Sequence, residues 1–235
     1  MSSLPSSFAP SARMMSPLMN PLKSGVASPQ LAQVQQLKSR ARKPGEASFF
    51  YVDHHFQYAA VKVLPGEYFV SSDEMVIMTV LGSCISACIW DPRAHVGGMN
   101  HFMLPDGDAS DGGGRYGSYA MELLINELIK AGARRESMQA KIFGGGQVMA
   151  SFTAMNVGER NTAFVIDYLL TERIPIISKD VLDIYPRKVC FFPSAGKALV
   201  KRLAHSHPEA LVEQERRGNA ATVAKETSGG SIDLF

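Results

Sequence analysis

The sequence predicts a mixed α/β domain of two or three layers, and three observations carry that expectation. Apolar, β-branched and aromatic segments of strand length stand before, between and after two amphipathic helical segments, a pattern that packs helices against sheet. A chain of 235 residues with 46% hydrophobic content can bury one sizeable core. Glycine, proline and aspartate interrupt those segments where turns are needed.

Residues 1–47 are rich in Ser, Pro, Met and Ala and show no sustained periodicity until Leu31–Leu37. Such a segment buries too little apolar surface to offset its chain entropy, so it predicts a disordered extension. One folded domain is expected over 48–207. Its first strands are Phe49-Phe50-Tyr51-Val52 and Tyr58–Leu64, aromatic and β-branched as strands are. Glu74–Leu81 predicts another strand, running directly into Gly82-Ser83-Cys84. A hairpin follows and ends at Leu104-Pro105.

Asp106–Gly117 is a Gly- and Asp-rich loop. Tyr119–Ala131 predicts a helix, because Met121, Leu124, Ile125, Leu128 and Ile129 recur at helical spacing and Gly132 stops it. Lys141-Ile142-Phe143 is a short strand ending in Gly144-Gly145-Gly146. A second helix over Asn161–Glu172 is closed off by Pro175. Ile174–Ile177 and Val189–Phe192 predict strands, and Ala198–Leu203 fits either state. Residues 208–235 read as a flexible polar tail, apolar only at Ile232-Asp233-Leu234-Phe235. No internal repeat is present.

Charge narrows the function classes. Residues 1–45 hold six bases and no acid, which leaves 18 bases against 22 acids in the remainder. A nucleic-acid module carries its basic stripe on the folded domain, and this domain is mildly acidic. Three cysteines, Cys84, Cys88 and Cys190, make no disulfide framework. No apolar run approaches the ~20 residues of a membrane span. The N-terminus lacks the basic and apolar regions of a signal peptide. The expected location is the cytoplasm, without membrane insertion.

The chemistry concentrates around Cys84. Asp91-Pro92-Arg93-Ala94 suits a type I turn, with Asp at its first position and Pro at its second. Folding there sets Trp90 opposite His95, Cys88 opposite Gly97, Ser86 opposite Met99 and Cys84 opposite His101. Opposed residues of an antiparallel pair share a face, with Cβ atoms roughly 4.5–5.5 Å apart. A thiol beside an imidazole is the minimum equipment of a cysteine nucleophile with its own base. Gly82 and Ser83 let backbone N–H groups approach a substrate carbonyl as oxyanion donors. Thr79 is near enough in the chain to orient the imidazole.

Chain geometry alone leaves alternatives open. A cysteine inside an apolar strand is usually an inert core residue, and Cys88 and Cys190 read that way. A metal site would draw on Cys84, Cys88, His95 and His101, but these lie in strands rather than in the compact knuckles zinc favours. The glycine runs at 112–114 and 144–146 lack a phosphate-loop form, so residues 144–146 instead permit a sharp turn or a close backbone approach. His54-His55 and His205-Ser206-His207 read as solvated.

Several motifs in order resemble the chemoreceptor glutamine deamidase family, CheD. They are Thr79-Val80-Leu81-Gly82-Ser83-Cys84, Trp90-Asp91-Pro92, Gly97-Gly98-Met99-Asn100-His101-Phe102-Met103-Leu104-Pro105, Arg115-Tyr116-Gly117, Lys141-Ile142-Phe143-Gly144-Gly145-Gly146, Gly158-Glu159-Arg160-Asn161 and Pro186-Arg187-Lys188-Val189. The resemblance implies a three-layer α/β/α sandwich with mixed sheets, similar to bacterial toxin glutamine deamidases. It implies Cys84 as nucleophile, His101 as base and an upstream threonine, taken as Thr79, as their assistant. No cofactor is implied. The implied partners are methyl-accepting chemoreceptors as substrate and the chemotaxis phosphatase CheC. The sequence departs at Asp180-Val181-Leu182-Asp183, where family members often have Asp-Leu-Gly-Gly. A non-catalytic adaptor binding receptors or CheC, and a cysteine hydrolase acting on receptor methyl esters, are the alternatives.

Overall fold

The computed structural model describes residues 28–104, 113–147 and 157–203. The chain enters through helix α1 (Pro29–Ser39) and strands β1 (Phe49–Asp53), β2 (Tyr58–Lys62), β3 (Tyr68–Ser71) and β4 (Met75–Leu81). Strands β5 (Ile85–Asp91) and β6 (Val96–Asn100) form the central hairpin, followed by helix α2 (Gly113–Lys130) and β7 (Gln139–Gly144). Helix α3 (Val157–Thr171) and strands β8 (Ile176–Val181), β9 (Arg187–Phe192) and β10 (Lys197–Arg202) complete the described chain.

The strands make two five-stranded sheets, ordered β1-β2-β4-β9-β10 and β3-β6-β5-β7-β8. Both are mixed, because β2–β4 and β7–β8 are parallel while the other pairs are antiparallel. The sheets face each other across one apolar layer, in which Val61, Ile77, Val189 and Phe191 meet Phe69, Cys88, Met99 and Phe143. On its other face the second sheet presents Ile85, Ala87, Ile89 and Ile142 to Met121, Leu124 and Leu128 of α2 and Val165 and Leu169 of α3.

The α/β class with mixed sheets is therefore present, with a different order of layers from the α/β/α expected. Among the described residues it runs sheet, sheet, helices. The outer face of the first sheet is covered by its own aromatic side chains: Tyr51, Phe56, Tyr58 and Phe192 pack over Ala60, Val76, Met78 and Cys190. Phe56 and Phe192 meet edge-on with ring centroids 5.3 Å apart.

Two element boundaries differ from the sequence reading. Residues 29–39 are helical, and folded structure begins earlier than residue 48. An isolated helix of 11 residues is marginal in water. Here Val34 and Leu37 are buried against the first sheet, each contributing about 1.5–3 kcal/mol, and the Ser28 hydroxyl caps Leu31 N. Helix α2 starts at Gly113 rather than Tyr119, because its apolar stripe extends back to the buried Tyr116 and the helix tolerates the intervening glycine. Residues 1–27, 105–112, 148–156 and 204–235 lie outside the described residues, and with them most of the expected loop at 106–117, His205, His207 and the tail at 208–235.

The central hairpin forms where the sequence places it, with a register shifted by two residues. Asp91 pairs with Val96, Trp90 with Gly97 and Cys88 with Met99. The turn holds four residues, Pro92 to His95, one of which (His95) takes a left-handed φ of 51°. Asp91 stabilises it, its Oδ1 accepting from Arg93 N at 2.8 Å and Ala94 N at 3.3 Å. Burial alone would raise the Asp91 carboxyl. Hydrogen bonds from Arg134 N, the Ser137 hydroxyl, Arg93 N and Ala94 N outweigh it and hold the pKa below the ordinary carboxylate value.

Candidate active site

The β5–β6 pairing continues past the strand ends through a bridge between Ile85 and Phe102, whose amides and carbonyls exchange hydrogen bonds of 2.9 and 3.0 Å. In this register Ser86 is opposite His101 and Cys84 is opposite Met103. Cys84 and His101 are thus diagonal rather than direct neighbours. Strand side chains alternate with a period of two, so a shift of two residues keeps both on the same face. Diagonal partners have Cβ atoms roughly 7 Å apart, within reach of long side chains. That face looks toward the other sheet, where Cys84 joins the inter-sheet core.

Thr79 completes the arrangement from the opposite sheet. It stands on β4 between Ile77 and Leu81, whose side chains line the same inter-sheet layer. Its hydroxyl donates to the Val63 carbonyl at 2.8 Å, and its Oγ1 lies 2.9 Å from His101 Nδ1. A hydroxyl has one proton, and Val63 takes it. The Thr79 oxygen must then accept from Nδ1–H, which leaves Nε2 as the basic nitrogen. Nε2 is buried and has no hydrogen-bond partner among the described residues. Thr79 and Cys84 are fully buried and His101 is 2% exposed.

Burial sets the protonation state of the imidazole. Removal from water penalises its cation and lowers its pKa to about 4; the Val63 carbonyl opposes that fall, and the Lys62 charge adds to it. At neutral pH His101 is an uncharged base. Its backbone is held as firmly as its ring, with His101 N donating to Glu67 O at 2.9 Å and Gly66 N donating to His101 O at 2.7 Å.

The loop at 82–84 is clamped through its carbonyls. Gly146 N donates to Gly82 O and Gly145 N to Cys84 O, each at 2.7 Å, while Asn161 Nδ2 donates to Ser83 O at 2.8 Å. This is the close backbone approach the glycine run permits. Gly144 has φ of 112°, and a Cβ there would stand 2.2 Å from Cys84 O. Gly82 and Ser83 are accordingly in place beside the thiol. The Ser83 hydroxyl points to Met103 Sδ at 3.7 Å.

Arg187, also fully buried, supports this clamp from behind. Its guanidinium donates to the carbonyls of Gly144 at 2.8 Å and Asp180 at 2.7 Å, and to that of Leu182. It therefore joins the glycine run to the turn at 180–183, where the sequence departs from the family pattern. That turn keeps a glycine-like backbone without glycine, since Leu182 and Asp183 have φ of 63° and 70°.

Sequence reasoning grouped Thr79, Gly82, Ser83, Cys84 and His101; the structure sets Thr79 Oγ1 2.9 Å from His101 Nδ1 and places Cys84 on the hairpin face that His101 shares. Of the other candidates weighed, His95 is in the exposed hairpin turn, and Cys88 and Cys190 are core residues whose thiol pKa values burial pushes up. Sequence reasoning gave no site role to Val63, Asn161 or Arg187. Val63 acts through its backbone carbonyl and leaves no signal in a sequence. Arg187 did leave one, as a charge at the head of an apolar strand that must be buried on both faces. Asn161 stands 78 residues from Ser83, and its one signal was its place in the Gly158-Glu159-Arg160-Asn161 motif.

A family model described as CheD, chemotactic sensory transduction, matches residues 103–202. A relative from Albidiferax ferrireducens, named "Probable chemoreceptor glutamine deamidase CheD 1", is 78% identical over 205 residues, covering 87% of this chain and 88% of its own. Relatives named "Probable chemoreceptor glutamine deamidase CheD" from Methylobacillus flagellatus and Herminiimonas arsenicoxydans are 50% and 52% identical, each covering 80% of this chain and 96% and 95% of their own. Among solved structures, the Bacillus licheniformis hypothetical protein YfiH matches about half of each chain at 12% identity and a TM-score of 0.36, too distant to carry an argument. Similarity of this extent at these identities assigns the protein: the chain belongs to the CheD family.

Proposed function

We propose that this chain is a protein-glutamine deamidase that converts glutamines of methyl-accepting chemoreceptors to glutamate, working in the cytoplasm through a Cys84 thioester. The observation that carries this reading is the Thr79–His101 hydrogen bond. It fixes the imidazole tautomer with Nε2 basic, on the face that Cys84 shares.

As Cys84 Sγ attacks the side-chain carbonyl carbon of a glutamine, its proton passes to His101 Nε2. Backbone N–H groups of the loop at 82–84 receive the charge developing on the carbonyl oxygen. The imidazolium then protonates the amide nitrogen, ammonia leaves, and a thioester remains. Water gives a proton to the same Nε2 as it attacks the thioester. The second tetrahedral intermediate expels the sulfur, which recovers its proton, and glutamate is released. Thr79 accepts from Nδ1–H throughout, so the ring holds its orientation while Nε2 gains and loses the proton.

The reading has a separate enzyme visiting the receptors. Among the described residues no helix is long and apolar enough to cross a membrane. The phosphatase CheC is the further partner this reading includes. The test is product analysis with purified receptor fragments. Release of ammonia in step with glutamate formation is expected. Release of methanol from methylated receptor would instead establish ester hydrolysis, and receptor binding with neither product would establish an adaptor.

A further inference from the structure

Asn161 is fully buried in the first turns of α3, and nothing in the chemistry above uses it. Its carboxamide makes two hydrogen bonds to backbone groups of two different loops. Nδ2 donates to Ser83 O at 2.8 Å, and Oδ1 accepts from Leu104 N at 2.9 Å. The partners fix which way the amide points, because a flip would set N–H against N–H and oxygen against oxygen. One side chain thus ties the residue before the nucleophile to the chain three residues beyond the base.

The bond to Ser83 O has a directional consequence. Ser83 O and Cys84 N belong to one planar trans peptide unit, in which C=O and N–H point in opposite directions. Holding the carbonyl toward α3 turns the Cys84 N–H the other way. The nucleophile's own backbone N–H is a recurrent oxyanion donor in acyl transfer, because the charge develops on an atom bonded to the carbon under attack. The neighbouring peptide units are also held, at Gly82 O and Cys84 O, but by backbone amides. The central one, at Ser83 O, is held by a side chain.

We propose that Asn161 is a positioning residue that aims the Cys84 N–H at the oxyanion. This rests on the deamidase reading. It differs from a plain packing role by predicting damage to the step that forms an oxyanion, and to that step alone.

Asn161→Asp separates the two. The substitution keeps the shape and the acceptor for Leu104 N, but replaces the donor to Ser83 O with an oxygen. The expected result is a fall in kcat for ammonia release of about 100-fold, with KM within a few-fold of the original. Alkylation of Cys84 by iodoacetamide forms no oxyanion, so its limiting rate, read at a pH where the thiol is fully ionised, should stay near that of the original chain. Equal losses in alkylation and deamidation would mean collapse of the site and would overturn the proposal, as would an unchanged kcat. Should the Asp variant expose Cys88 and Cys190 to alkylation, a sign of unfolding, Asn161→Ser provides the same comparison with room for a bridging water. An original chain that alkylates at Cys84 yet releases no ammonia would sink the deamidase reading itself, and this role with it.

Discussion

The Thr79 hydroxyl lies 2.9 Å from His101 Nδ1 while giving its own proton to the Val63 carbonyl at 2.8 Å. One residue of the first sheet thereby selects the tautomer of a histidine on the second. In the proposed mechanism this divides labour across the inter-sheet layer: one sheet would hold the thiol and its base, and the other the group that keeps the base usable.

Replacing Thr79 with valine keeps the volume and removes that acceptor. Deamidation kcat should fall on the order of 10- to 100-fold, part of the 10²–10⁴ that a positioned base contributes. Thr79→Ser retains the hydroxyl and should keep most of the activity. Equal activity of the Val and Ser variants in an ammonia-release assay would remove Thr79 from the mechanism.

The buried imidazole makes stability depend on pH with a definite sign. The pKa of His101 is about 4 in the folded chain against an ordinary 6.5. Between these values the unfolded chain binds a proton that the folded chain does not, so stability falls as pH drops through this window. Above about 6.5 the contribution is fully present, and below about 4 it levels off. The total is about 3 kcal/mol, from about 1.4 kcal/mol per pH unit. Urea unfolding of the original chain and of His101→Asn from pH 7.5 to 4 should show the difference shrinking with acidity. A difference that does not change with pH would contradict the buried neutral base.

Leu182 holds a left-handed φ of 63° with its side chain 37% exposed. A non-glycine residue there costs about 1–2 kcal/mol, about what the partly buried side chain contributes by its burial. Leu182→Gly should therefore change stability by no more than about 1 kcal/mol in either direction. Chemical denaturation measures it, and a loss above about 2 kcal/mol would show that the leucine makes contacts outweighing its strain.

Gly144→Ala should destabilise the chain. Its φ of 112° and the 2.2 Å approach of a Cβ to Cys84 O leave no place for a methyl group. A loss of about 3 kcal/mol is expected, combining backbone strain with displacement of the nucleophile loop. Normal melting together with normal Cys84 alkylation in this variant would refute the close packing of the two loops.

The fate of the Asp91–Ala94 turn shows what a sequence can carry. Composition located the hairpin, and the alternation of strand side chains put Cys84 and His101 on one face. The register was not legible, because His95 joins the turn in a left-handed conformation that its residue type only weakly signals. The error was harmless to the site since it equals one full period of the strand. The order of the layers was hidden for another reason: aromatic side chains such as Phe56 and Phe192 cover a sheet face as well as a helix does. Long-range clamps such as Asn161 to Ser83 and Arg187 to Gly144 exist only once the fold has formed.

The central claim is that Cys84 turns receptor glutamines into glutamates. Mass spectrometry of purified receptor fragments, incubated with the original chain or with Cys84→Ala, tests it most directly. The account predicts that specific glutamine-containing peptides gain the mass difference between an amide and an acid with the original chain and remain unchanged with Cys84→Ala. The same mass shift appearing with both proteins would contradict it.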